Sequence, residues 1–148
     1  MGRIYYATGS KAVTAAVDVV GFDAPATGMF CLHELVITQS DLEVDDSCEI
    51  TISRHTTAGT MGTAITPAPA MVGLAASGVT VRSFDTTPAA GTETEMYREG
   101  ISILAGFQKI WTPDTRIWVA PSGFLVVKTT GAISSATVVW SAVFEEFD

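Results

Sequence analysis

Apolar and polar residues alternate over short segments along most of the chain, which is the two-residue period of a β-strand. In residues 48–53, for example, Cys48, Ile50 and Ile52 alternate with polar residues. Helical periodicity is hard to find, because Thr and Val are abundant and Gly or Pro recurs about every ten residues. The strands that we predict span residues 3–8, 12–20, 30–38, 48–53, 79–84, 101–111, 115–120, 124–130 and 137–147.

The segment 30–38 is largely apolar on both faces, a pattern typical of a strand inside a sandwich. An acidic turn at residues 41–46 leads from it into the strand at 48–53. We therefore predict that these two strands pair as an antiparallel hairpin. We interpret Gly9–Lys11 as another hairpin turn, because it lacks the glycine spacing and the residue order of a phosphate-binding loop.

Strands in this number, about eight to ten with turns every 8–12 residues, are typical of an all-β sandwich or barrel. We predict an antiparallel β-sandwich of the jelly-roll type, and the length of 148 residues fits a single domain over residues 1–148. Within it we interpret residues 1–22 as an N-terminal arm. We interpret residues 55–81 as a long, ordered, uncharged loop.

That loop is unusual in composition, because no charged residue occurs between Arg54 and Arg82. It consists mainly of Thr, Ala, Gly and Pro, but it also holds apolar residues such as Met71 and Leu74. Disordered segments are normally charged, so we expect an ordered loop that lies against another surface. A second loop of this kind is expected at residues 85–94.

The overall charge excludes some partners. Eight Lys and Arg against sixteen Asp and Glu give a formal charge of −8, which disfavours binding to nucleic acid. No stretch approaches the roughly 18–20 apolar residues of a membrane-spanning helix, so we expect no membrane partner. The first residues lack the apolar centre of a secretion signal, and we expect synthesis in the cytoplasm.

Candidate catalytic groups are few. We interpret His33 as a hydrogen-bonded structural residue and His55 as a solvated one, and we find no elbow motif of a serine hydrolase. The His-x-His pair of a metal-binding jelly roll is absent as well. We therefore predict that the protein is not an enzyme and binds no metal or cofactor. An enzyme stays an alternative if either histidine meets a carboxylate or a metal.

The remaining polar and thiol groups have ordinary interpretations. We expect the acidic residues of 41–46 to form a solvated turn, and the acidic end with Glu145, Glu146 and Asp148 to serve solubility. Cys31 and Cys48 lie in predicted strands, and we expect two buried thiols without a disulfide.

Aromatic residues could line a sugar-binding groove, as in carbohydrate-binding sandwiches. Trp118 and Trp140 lie in strongly apolar strands, so we expect them in the core. Trp111 precedes a proline turn and is the tryptophan that we expect to be partly exposed.

The order of segments resembles a known family. It consists of the stretch LHELVITQSDLEVDDSCEITISR, the long uncharged loop, and the block GFQKIWTPDTRIWVAPSGFLVVKTTGAISSATVVWSAVFEE. This layout, from Phe30 onward, resembles the small jelly-roll cement or decoration proteins of tailed bacteriophages. The most specific elements are the turn at 111–114, the strand at 116–119 with its 121–123 turn, and the final strand ending at Glu146.

The resemblance implies a structural virion protein on the outer surface of a phage capsid. Such a protein bridges neighbouring subunits of the major capsid protein, commonly as a homotrimer, and has no active site. Together with the uncharged loop, this leads us to expect the capsid or trimer contact at Tyr5, Tyr6, Ile65, Pro67, Pro69, Met71 and Leu74. The alternative that we retain is a carbohydrate- or receptor-binding jelly-roll module of a phage fibre or tail.

Overall fold

The computed structural model describes residues 2–40, 47–130, 133 and 135–147, and these residues form an antiparallel β-sandwich. The strand ends fall where the alternation of apolar and polar residues stops, at Gly, Pro and Asp-containing segments. A 3-10 turn spans Pro113–Thr115. The strands are β1 (Arg3–Val13), β2 (Asp18–Asp23), β3 (Met29–Gln39), β4 (Ser47–Thr57), β5 (Thr63–Ile65), β6 (Ala68–Pro69), β7 (Thr80–Ser83), β8 (Ala90–Ser102), β9 (Phe107–Ile110), β10 (Ile117–Val119), β11 (Phe124–Thr130) and β12 (Ala136–Phe147).

Two sheets share these strands. Sheet A has the order β10-β3-β12-β1-β6, with β9 also paired to β3. Sheet B has the order β5-β7-β2-β11-β4-β8. The first four strands therefore alternate between the two sheets.

The core lies between the two sheets and follows the alternation in the sequence. Along β12 every second residue is buried from Ala136 to Glu146, and the residues between are half-buried on the outer face. Aromatic rings from both sheets meet in the centre. Phe22 of sheet B lies 5.8 Å from Phe144 of sheet A, and Phe144 lies 5.7 Å from Tyr5, between ring centroids.

A buried ionic cluster lies in sheet B. Arg82 of β7 donates two hydrogen bonds to Asp23 Oδ1, at 3.1 Å and 2.9 Å, and also contacts Asp85. Arg82 and Asp85 are both buried. Burial is the largest effect on the Asp85 carboxyl and raises its pKa, while the neighbouring guanidinium of Arg82 offsets part of that rise.

The prediction of an all-β sandwich is confirmed, but the pairing of neighbouring strands differs from the prediction. The expected hairpin of 30–38 with 48–53 does not form, because β3 lies in sheet A and β4 in sheet B. The expected acidic turn at 41–46 lies outside the described residues. The hairpin turn expected at Gly9–Lys11 is also wrong, because these residues pair with β12 inside β1.

Several predicted boundaries change for physical reasons. Residues 3–13 are a strand paired along its whole length with β12 and not a free arm. The segment 55–81 contains the short strands β5 and β6, so the described residues hold twelve strands and not eight to ten. The predicted strand 101–111 is interrupted by a turn at which Gly106 has a φ of +76°, and β8 begins at Ala90 within the expected loop 85–94.

Candidate functional site

The uncharged segment 66–76 is attached to the edge of sheet A. Its strand β6 pairs with β1, with Pro69 opposite Tyr5 and Ala68 opposite Tyr6. The backbone N–H of Ala70 then donates to the carbonyl oxygen of Ile4 at 2.9 Å. The start of the chain and the loop, which the sequence suggested as two separate contact elements, are therefore one continuous structure.

A side chain fixes the far end of this segment. The phenol of Tyr5 donates a hydrogen bond to the carbonyl oxygen of Ala75 at 2.9 Å. We call the surface formed by residues 3–6 and 68–75 the edge surface. Its exposed apolar side chains are Ile4, Tyr6, Met71 and Val72, with exposed fractions of 36%, 49%, 67% and 105%.

A cavity of about 390 Å³ opens within the edge surface. Ile4, Met71 and Leu74 give it apolar walls, and Arg3 and Glu145 bring one charge of each sign to it. A cavity with this lining can accept an apolar side chain from a partner. The residues that line it are Gly2, Arg3, Ile4, Ala70, Met71, Leu74 and Glu145.

The seven expected contact residues have different positions. Tyr5 is wrong as a surface contact, because its side chain is completely buried against Phe144. Tyr6, Pro69 and Met71 are exposed on the edge surface, and the structure brings them together. The other three, Ile65, Pro67 and Leu74, are half-buried, and Ile65 packs against the core from β5 in sheet B.

Sequence reasoning placed a contact on residues 1–6 as a whole and did not single out Ile4, and it did not identify Val72 as an exposed apolar residue of this surface. A signal for Ile4 existed, because Ile4 and Tyr6 are two positions apart in a predicted strand and must share a face. Val72 carried no such signal, since its exposure depends on the path of the loop after β6.

The expected positions of two tryptophans are reversed in the structure. Trp111 is buried, with its ring 6.5 Å from that of Tyr97. Trp118 is 41% exposed, because it lies on the outer face of the edge strand β10, with its ring 5.2 Å from that of Phe147. Trp140 is buried in the core, as predicted.

Trp118 also lines a second cavity of about 390 Å³, where the edge of sheet A meets sheet B. Arg54 and His55 of β4 lie beside it, and Arg54 donates a hydrogen bond to the carbonyl oxygen of Trp118. An exposed indole next to groups that can form hydrogen bonds is an arrangement that can bind a sugar ring.

Each histidine lies near a carboxylate. His55 is not solvated as expected, because its side chain is only 5% exposed, and its Nε2 lies 3.9 Å from Glu93 Oε1. His33 Nε2 lies 3.1 Å from Glu145 Oε2. Burial, with the nearby Arg116, lowers the pKa of His33 and favours the neutral imidazole. Both histidines therefore have a carboxylate neighbour, and the enzyme alternative stays open.

Glu145 and Glu146 do not form a solvated acidic end. Glu146 is buried and accepts hydrogen bonds from the hydroxyl of Ser77 at 2.8 Å and the backbone N–H of Gly78 at 2.9 Å. Glu145 lies on the opposite face of β12, where Arg116 Nη1 is 3.6 Å from its Oε2. Asp148 lies outside the described residues.

Both cysteines are buried thiols, as predicted, and neither forms a disulfide within the described residues. Cys31 lies beside His33 and Glu145, and one potential ligand atom from each of these residues lies within 4.8 Å of the others. Burial, with a smaller effect from Glu145, raises the pKa of the Cys31 thiol to about 11.

Comparisons with protein families, with curated proteins and with solved structures found no match to this chain. In the part of the chain that the structure describes, no helix has the length and apolar character needed to cross a membrane.

Proposed function

We propose that this protein is a structural component of a tailed-bacteriophage virion. In this proposal it binds the outer surface of the assembled capsid as a homotrimer and stabilises the shell by bridging neighbouring major capsid subunits. The stabilisation of the shell comes from the area of contact with it. A molecule that binds the assembled shell better than the separate subunits shifts the equilibrium towards assembly.

The observation that carries this proposal is the edge surface. Ile4, Tyr6, Met71 and Val72 expose apolar area at one edge of the sandwich. The loop part of this surface belongs to a segment without charged residues, so a partner can cover it with little cost of desolvating charge. The hydrogen bonds from Tyr5 and Ala70 order the loop in advance, which reduces the entropy lost on binding.

The strand order supports the jelly-roll interpretation that belongs to this proposal. With the short strands β5, β6 and β7 set aside, one sheet contains β1, β12, β3 and the pair β9 and β10, and the other contains β2, β11, β4 and β8. Eight strand positions shared in this way between two sheets match the two interlocked Greek keys of a jelly roll.

Charge introduced into the edge surface tests the proposal. Met71→Glu places a carboxylate in the centre of the expected contact. We expect it to weaken binding to capsids of the encoding phage by about tenfold or more, because burying an unpaired charge costs more than the roughly 1.4 kcal/mol of a tenfold change. Met96→Glu is the matched control, because Met96 is 40% exposed on β8 of sheet B, away from the edge surface. The measurement is cosedimentation of each purified variant with capsids that lack the protein.

Equal binding of the Met71→Glu variant and the wild type would contradict the assignment of the edge surface. Native mass spectrometry of the wild type tests the trimer separately, and we expect a mass of three chains. Deleting residues 63–76 is a poor test, because this segment contains β5 and β6 and its loss would remove edge strands from both sheets.

A second candidate function is favoured by the cavity next to Trp118. The exposed indole, Arg54 and His55 lie around a concave site of the kind that binds a carbohydrate, as expected for a receptor-binding module of a fibre or tail. A glycan array tests this function directly. Binding that Trp118→Ala abolishes and Tyr6→Ala preserves would support the carbohydrate-binding function over capsid decoration, and an array without any signal would contradict it.

A further inference from the structure

Cys31, His33 and Glu145 lie together on the outer face of sheet A. Cys31 and Glu145 are direct partners in the pairing of β3 with β12. His33 is two residues after Cys31 and lies on the same face, with its Nε2 3.1 Å from Glu145 Oε2. A sulfur, a nitrogen and an oxygen ligand atom thus lie within 4.8 Å of one another.

An irregularity of the sheet brings the imidazole into this group. The register between β3 and β12 shifts after Val143, so that Val143 pairs with Glu34 and Phe144 pairs with Leu32. His33 is the extra residue of β3 at this bulge. Bulges commonly redirect a side chain towards a site, and here the bulge is stabilised by the backbone N–H of Trp111, which donates to the carbonyl oxygen of His33 at 2.9 Å.

The polar atoms of the group are incompletely satisfied. Among the described residues, the buried Nε2 of His33 has no hydrogen bond of normal geometry, although it is close to the carboxylate. Cys31 is completely buried, and the side chains of His33 and Glu145 are each 15% exposed. The group is therefore largely enclosed, with the edges of the imidazole and the carboxylate reaching solvent.

We propose that Cys31, His33 and Glu145 form a binding site for a divalent metal ion of the zinc class. Thiolate, imidazole and carboxylate are the three ligand types of protein zinc sites, and three protein ligands leave a fourth position for water. The thiolate and the carboxylate bring two negative charges to the ion. The guanidinium of Arg116, whose Nη1 lies 3.6 Å from Glu145 Oε2, adds one positive charge beside them and holds the carboxylate in place when the metal is absent.

Such an ion would link β3 to β12 in the middle of sheet A. Because the site requires the folded pairing of these strands, metal binding is expected to stabilise the folded protein. Glu145 also lines the cavity of the edge surface beside Met71. The metal proposal rests on the ligand geometry alone and does not depend on the proposed capsid function.

Titration of the purified wild-type protein with Co²⁺ tests the proposal, because cobalt replaces zinc and reports a thiolate ligand by its charge-transfer absorption in the near ultraviolet. We expect this absorption to saturate at one Co²⁺ per chain and to disappear when Zn²⁺ is added. We also expect Zn²⁺ to raise the melting temperature by several degrees and a chelator to reverse that rise.

Variants of the ligands and of the other cysteine complete the test. Cys31→Ser should abolish the absorption, whereas the matched control Cys48→Ser should retain it, because Cys48 lies in β4 of the other sheet. His33→Gln keeps the thiol and should weaken Zn²⁺ binding by more than about 100-fold, since even the loss of a partner that orients a ligand costs about 10- to 100-fold. A wild type without the thiolate absorption, or equal absorption in Cys31→Ser, would overturn the proposal.

Discussion

The phenol of Tyr5 donates a hydrogen bond to the carbonyl oxygen of Ala75 at 2.9 Å, across 70 positions of the chain. The ring of Tyr5 belongs to the core, stacked on Phe144 at 5.7 Å, while its hydroxyl reaches the loop at the sandwich edge. One residue therefore connects the packing between the sheets to the position of the edge surface. This explains how the uncharged segment 66–76, which is rich in Ala and Pro, can be ordered.

Removal of this hydroxyl is the first prediction. Tyr5→Phe keeps the buried ring but loses the hydrogen bond, so we expect a loss of about 0.5–1.5 kcal/mol in the free energy of unfolding. Amide hydrogen exchange in residues 70–76 should become faster, because the loop loses an attachment. Tyr6→Phe is the control, since Tyr6 is 49% exposed. Unchanged exchange in Tyr5→Phe would show that the loop is held by other contacts.

The second prediction concerns Gly9 in β1. The indole N–H of Trp140 lies beside Gly9 and donates a hydrogen bond to the hydroxyl of Ser83 at 2.9 Å. This hydrogen bond joins sheet A to sheet B. A Cβ at Gly9 would lie 2.7 Å from the same indole nitrogen. Gly9→Ala is therefore expected to destabilise the protein by about 1–3 kcal/mol, as overpacked cores do.

Urea denaturation measures this effect, and Gly100→Ala supplies the control. Gly100 lies in β8, and a Cβ there would meet nothing within 4 Å. Because glycine within a strand is less favourable than alanine, Gly100→Ala should be neutral or stabilising by up to about 1 kcal/mol. A destabilisation of the same size in both variants would contradict the role of the Gly9 position.

The third prediction concerns the pH dependence of stability. Burial raises the pKa of Asp85 above its ordinary value of 3.8. A carboxyl with a raised pKa binds more protons in the folded state, so its stabilising contribution is present below pH 3.8 and is lost as pH rises through the folded-state pKa. Asp85→Asn removes this titration. The unfolding free energy of the variant minus that of the wild type should therefore increase as pH rises from below 3.8.

Glu93→Gln gives a control of opposite sign. Hydrogen bonds from Lys128 and Ser53 lower the pKa of Glu93 below its ordinary 4.5, so its contribution is present above pH 4.5 and is lost as pH falls through the folded-state pKa. The unfolding free energy of Glu93→Gln minus that of the wild type should therefore decrease as pH rises. Urea denaturation over a series of pH values measures both differences, and a flat or falling curve for Asp85→Asn would refute the prediction.

The sequence allowed the fold class to be predicted because β3, β11 and β12 each carry a clear apolar pattern. It did not reveal which strands pair, because the pattern records the face that a residue occupies and not the sheet to which the strand belongs. Two strands separated by a turn segment, 30–38 and 48–53, were therefore predicted to pair as a hairpin. In the structure β3 and β4 lie in opposite sheets.

The candidate sites show the same limit. The uncharged loop was recognisable from composition, but its pairing with β1 depends on two residues, Ala68 and Pro69. Cys31 and Glu145 are far apart in the sequence and become partners only through the register of β3 with β12. The exposure of Trp118 arises because β10 is a short edge strand, which an apolar sequence does not distinguish from a central one.

The capsid proposal is tested most directly by cryo-electron microscopy of capsids of the phage to which the proposal assigns the protein, prepared with and without it. We predict extra density on the outer surface of the shell, at the seams between major capsid subunits, with the edge surface facing the shell. We also predict that each density fits three copies of the sandwich. Identical shells in the two preparations, or density for this protein only on the tail, would contradict the account.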